Sequence, residues 1–191
     1  MGCDISLFIE LDDTKNEVPF SGNATALAAS EIMPFNIGRN YRLFAALAGV
    51  KSHSSIENLV TPRGIPDNIS WELIPAFFQP IKEELENIPT NFIYCWHEIE
   101  AHTRSEAQRL VDRNEATYNK EIPGLLKANT LITQQDAHTF GWLLLDEIKA
   151  TIEINNIDIS EENFPLIIDL MELIEKKIGV ARTRLLFYFR G

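Results

Sequence analysis

The chain has 191 residues, of which 45% are hydrophobic, 24% charged and 9% aromatic, enough to fill one sizeable core and too apolar for intrinsic disorder. Its 17 Lys and Arg against 28 Asp and Glu give a formal net charge of −11, which argues against nucleic acid as a partner, because phosphate binding needs concentrated cations. The two cysteines, Cys3 and Cys95, make no disulfide framework, and no apolar run approaches the roughly 20 residues of a membrane span. The expectation is one soluble domain, residues 1–191, in a reducing cytoplasm.

From Cys3 to Leu11 the apolar Ile5, Leu7 and Ile9 alternate with neighbours of the opposite face, which predicts a first strand. Asn23 is placed to cap a helix over 24–32 that Pro34 would end. A second helix is predicted from Asn40, with Tyr41, Phe44, Leu47 and Ala48 on one stripe and Gly49 as its stop. The segment from Thr61 to Ser70, TPRGIPDNIS, carries two prolines and a glycine and reads as an ordered loop. Ser70 then caps a helix starting at Trp71 and running to Ile88, interrupted at Pro75 and Pro80.

Residues 91–102 fit either a buried strand or a helix, and helix is preferred; TRSEAQRLV just beyond is helical. Helices are predicted for Trp142 to Ile152 and for Glu161 to Ile178. The latter has Ser160 as N-cap, a stripe of Phe164, Ile167, Met171, Ile174 and Ile178, and Gly179 as its stop. Thr183, Leu185, Phe187 and Phe189 alternate with Arg184, Leu186 and Tyr188 as a terminal strand. Arg104, Arg109 and Arg113 read as a solvated helix face, and Arg182 with Arg184 as charges guarding a strand edge. Strands at both ends with helices between them predict an α+β fold, a small sheet that includes both terminal strands and packs against several helices.

Catalytic signatures are mostly excluded. His97, Glu98 and His102 resemble a zinc-protease string, but five positions between the histidines rotate the second imidazole about 140° from the first. No phosphate loop, GxGxxG or GxSxG occurs. The N-terminal Met1-Gly2-Cys3-Asp4-Ile5-Ser6 satisfies a myristoylation pattern, although the same residues open a strand, which is the preferred reading. Asp136 and His138 form an Asp-x-His pair that can orient an imidazole as general base or bind a metal. From the residues alone the preferred reading is that Asp136 or Thr139 caps a helix while His138 packs on Trp142.

Three segments occur together in order: MGCDISLFIE; GRNYRLFAALAGV with PRGIPDNIS; and DAHTFGWLLLDEI followed by RLLFYFRG. This combination resembles an uncharacterised family of small phage and prophage proteins that open with Met-Gly-Cys-Asp-Ile-His. The resemblance covers both ends and the first third, not residues 71–131, and it adds weight to Asp4, Arg39, Asn40, Asp67, His138 and Trp142. Ser6 stands where the family has histidine, and Arg190 where it has an acidic residue. The resulting expectation is a pocket for a small anionic or nucleotide-like ligand, with Asp4 and His138 in catalytic positions. Arg39, Asn40, Asp67 and Trp142 would bind the ligand, and no metal or cofactor is assigned. The alternative is a non-catalytic, acidic interaction protein that binds a protein partner.

Overall fold

The computed structural model describes residues 4–12, 14, 16–22, 24–27, 37, 39–50, 56–57, 59–89, 101–122, 124–135, 137–160 and 163–191. In chain order these hold β1 (Asp4–Leu11), β2 (Thr25–Ala26), α1 (Tyr41–Ala48), α2 (Ile74–Phe77), β3 (Phe78–Pro80), α3 (Arg104–Asp112) and β4 (Leu131–Thr133). There follow β5 (Ala137–Leu144), α4 (Leu145–Ile154), α5 (Phe164–Ile178) and β6 (Thr183–Arg190). Two compact units result: Met1–Ser70 with His138–Gly191, and Trp71–Ala137. Among the described residues no helix is long and apolar enough to cross a membrane.

The first unit carries an antiparallel sheet in the order β2-β1-β6-β5, so the first and last strands are neighbours at its centre, as the α+β expectation required. Their ladder runs from Asp4 opposite Arg190 to Leu11 opposite Thr183. Side chains alternate across a strand, so one face presents Leu7, Ile9, Leu185, Phe187 and Phe189 to a core completed by Leu43, Phe44 and Leu47 of α1, Ile148 of α4, and Phe164, Ile167 and Met171 of α5. The Phe44 and Phe189 rings meet edge to face, with centroids 5.2 Å apart. On the other face Tyr188 lies 6.0 Å from the Phe8 ring and 5.8 Å from the Phe140 ring. Residues Thr183 to Phe189 are therefore buried on both faces.

Local chemistry fixes the helix ends. Asn40 accepts the Leu43 N–H at 2.9 Å, and Gly49, with φ of 69°, closes α1 in the left-handed conformation. Glu175 of α5 is buried and accepts both the N–H and the hydroxyl of Thr183, at 3.1 and 2.7 Å, which ties that helix to the last strand.

In the second unit, a 3₁₀ turn at Trp71–Leu73 leads into α2, and β3 pairs antiparallel with β4. Ile81, Ala107, Leu110, Ala116 and Ile132 form one buried apolar cluster of this unit. Buried Asn119 organises the approach to β4: its carbonyl oxygen accepts the N–H groups of Thr130 and Leu131, while its amide donates to the carbonyls of Lys120 and Lys127.

Several expectations are corrected. Thr25 and Ala26 are extended and pair with Leu11 and Glu10, so no helix starts at Ala24; a strand edge in reach overrides alanine's helix preference. Asn23 and residues 28–36 lie outside the described residues. The helix from Trp71 to Ile88 is broken into short pieces, because Pro80 disfavours the helical region for Gln79 and both sit in β3. Ser70 donates its backbone N–H to Glu10 and makes no cap. Trp142 to Leu144 belong to β5, and the helix begins at Leu145. The N-cap of α5 is Asn163, Ser160 bonding to Asp158 instead, and Ile178 at the end of the stripe is exposed. Residues 91–100, with Cys95, and also Gly2, Cys3 and Asp136, lie outside the described residues.

Candidate functional site

The residues singled out from the sequence occupy two places in the first unit. At one end of the sheet Asp4 meets Arg39, Nε to Oδ1 at 2.8 Å, with both side chains more than half exposed. Asn40, next to Arg39, is occupied as the α1 cap and donates its amide to the Asp158 carbonyl at 3.2 Å. His138, exposed on β5, bonds through Nδ1 to the Thr139 hydroxyl at 3.0 Å. Its ring stacks on Phe189 at 6.2 Å, not on Trp142. The structure thus joins Asp4 to Arg39, and directs His138 to its own neighbour and to the last strand.

The second place is the polar end of the β1–β6 ladder, which sequence reasoning did not assemble. Glu10 and Arg184 are opposite each other in register and both essentially excluded from solvent. Arg184 Nε lies 2.6 Å from Glu10 Oε2, and its remaining nitrogens donate to the side chain and backbone carbonyl of Asn68. Ser70 donates its N–H to the other Glu10 oxygen. The proline-rich loop is in this way fastened to the sheet by a charged pair.

Trp142 stands beside this pair, with the Arg63 guanidinium 4.3 Å from its ring centre and the Arg184 guanidinium at 5.5 Å. Arg63 also grips Glu147 of α4 with two nitrogens, one at 3.0 Å, and Asp67 is exposed on the same loop. Burial raises the Glu10 carboxyl above its ordinary range and Arg184 opposes that rise; burial likewise lowers Arg184. Arg184 is therefore no edge guard: its strand is interior, and the signal available in the sequence was Glu10, in the same alternation phase of the partner strand. Every cation of this cluster already faces a carboxylate, which makes it a fastening for the loop.

A different arrangement lies in the second unit, where His102, Glu106, Arg109, Leu110, Arg113 and Gln135 line a cleft of ≈ 300 Å³. Thr103 caps α3 and forms a reciprocal box with Glu106, so that Glu106 Oε2 accepts the Thr103 N–H at 2.8 Å. Those bonds from Thr103 hold the Glu106 carboxyl below its usual range, with Arg109 and His102 acting in the same direction. His102 Nε2 is 2.8 Å from the Gln79 side-chain oxygen Oε1, which fixes the ring at the rim. Arg104 on the same helix is fully engaged, with Glu84 and the Asn129 carbonyl.

Arg109 and Arg113 differ. They stand one helical turn apart, their Cβ atoms about 6 Å from each other, both exposed, and among the described residues neither forms an ion pair. The sequence showed their spacing; the fold adds His102 and Gln135. Among the described residues no group of three His, Cys, Asp or Glu is arranged to hold a metal. Compared with protein families, curated proteins and solved structures, the chain matches none.

Proposed function

We propose that the protein binds a small anionic, phosphate-bearing ligand in the cleft of its second unit. The observation that carries this reading is the pair Arg109 and Arg113, two exposed guanidiniums that form no ion pair among the described residues, on one cleft wall in a chain of net charge −11; Glu106, which attracts Arg109, is itself bonded to Thr103. Cations in the last turn of a helix also suit its dipole, which accounts for their position but leaves their mutual repulsion standing. An anion held between the two forks relieves it and gains charge-assisted hydrogen bonds. The volume is at the low end for ligand sites and fits a phosphate ester better than a dinucleotide. Affiliation with the phage and prophage proteins that the sequence resembles, and a reducing cytoplasm as its setting, belong to the same reading.

Calorimetric titration with pyrophosphate tests it. Binding is expected, with Arg109→Ala and Arg113→Ala each weakening it by about tenfold or more while Arg39→Ala leaves it unchanged. No binding by the wild-type protein, or equal binding by all four, overturns the reading. The second reading, a non-catalytic protein that associates with another chain, is supported by an apolar stripe on α5.

A further inference from the structure

Independently of the cleft, the outer face of α5 points to a second copy of this chain. The inner face of that helix, Phe164, Ile167 and Met171, is fully buried. On the outer face Leu166 and Leu173 are 55% and 54% exposed, with Leu170 between them only partly covered. Val180, just past the helix end, is also exposed. Leu166, Leu170 and Leu173 follow the 4-3 spacing of a helix-pairing seam, and large exposed apolar residues gathered in one place mark an interaction surface.

The charges beside this seam select the occupant. Glu172 is already paired with Lys149, at 2.6 Å. Among the described residues Asp169 and Lys176, seven positions apart on one flank of the seam, form no ion pair.

We propose that two copies of the chain pair through α5 in antiparallel orientation, with Leu170 of each beside Leu173 of the other. In this register the seam-flanking geometry sets Asp169 of each copy beside Lys176 of the other, and Leu166 against the aliphatic stem of Lys177. Each contact forms twice, as a two-fold interface demands, and the two helix dipoles oppose. A parallel pairing sets position 169 beside position 174, an isoleucine, and leaves both charges unmatched. The helix is about 22 Å long, so the interface is small and the dimer assembles in the micromolar range.

Sedimentation equilibrium of the full chain from about 1 µM to about 500 µM reads this directly. A monomer–dimer equilibrium is expected, abolished by Leu173→Glu. Asp169→Lys and Lys176→Asp each weaken it by about tenfold, and the double exchange Asp169→Lys with Lys176→Asp restores it. All three positions are outward-facing, and circular dichroism of each of the four variants confirms that the fold is kept. A monomer throughout the range overturns the proposal, as does a dimer that survives Leu173→Glu. A double exchange as weak as the single ones overturns the antiparallel register. Pyrophosphate titration of Leu173→Glu is expected to match the wild type, so failure of this proposal and failure of the cleft are told apart.

Discussion

Arg184 Nε lies 2.6 Å from Glu10 Oε2, joining strands whose residues are 174 positions apart in the chain by a charged contact that solvent does not reach. Desolvation works against both charges, so each is held by the other and by the Asn68 and Ser70 groups around them. Removing one partner leaves the other buried and uncompensated. Arg184→Ala is expected to cost about 3–5 kcal/mol, and the double change Glu10→Met with Arg184→Met markedly less than the sum of its single changes. Urea denaturation of the set measures this; a cost below about 1 kcal/mol for Arg184→Ala sinks it.

Asp12 supplies a pH-dependent test. Burial alone would raise its carboxyl, but the Thr14 hydroxyl, the N–H groups of Phe20 and Thr14, and Arg182 outweigh that and hold it below its ordinary 3.8. A depressed folded value means stability that is present above the unfolded value and is lost as pH falls through the folded one. Asp12→Asn is expected to lower stability by about 1.5–3 kcal/mol at neutral pH, with the difference shrinking below about pH 3–4. Paired thermal melts at the two pH values decide it, and a difference independent of pH contradicts the assignment.

At the sheet end the expected effects are small. His138 is exposed and Arg39 pairs with Asp4 in solvent. His138→Ala and Arg39→Ala are each expected to change stability by about 1 kcal/mol or less, the loss of one ring contact or one surface pair. A fall in melting temperature beyond about 8 °C for either variant shows a structural role that the geometry does not provide.

Asn119 gives the opposite expectation. Its side chain satisfies two backbone donors and two carbonyls in the second unit. Asn119→Ala leaves these groups to find other partners, at about 2–3 kcal/mol. Amide hydrogen exchange at Thr130 and Leu131 is the direct readout, and unchanged protection there contradicts the role.

The strands at both ends were legible because each alternates and neither can bury its apolar face alone. The helix Tyr41–Ala48 was legible because its stripe, its Asn40 cap and its Gly49 stop agree. β5 was not. Gly141 looks like a helix fault, yet a Cβ there would come 2.6 Å from the Phe187 ring. The glycine lets β5 lie flush against β6, a demand that comes from a residue 46 positions away. Thr139, with φ of 51° inside the same strand, breaks its alternation further. Of the candidate residues, those at the sheet end and on the proline-rich loop were visible as polar residues in costly places. The cleft was not, because Arg109 and Arg113 acquire meaning only when His102 and Gln135 arrive from outside their helix.

The neighbouring placement of β1 and β6 has a consequence for biosynthesis. Residues 12–182 must be translated before the sheet's central ladder can close, which at about 5–20 residues per second takes roughly 10–35 s. Throughout that interval the apolar face of β1 lacks the strand that covers its long edge, on a ribosome surrounded by other nascent chains. The second unit, contiguous in sequence, is under no such delay. Chaperones that shield residues 4–11 until the final strand emerges are therefore expected to raise the yield in a heterologous host.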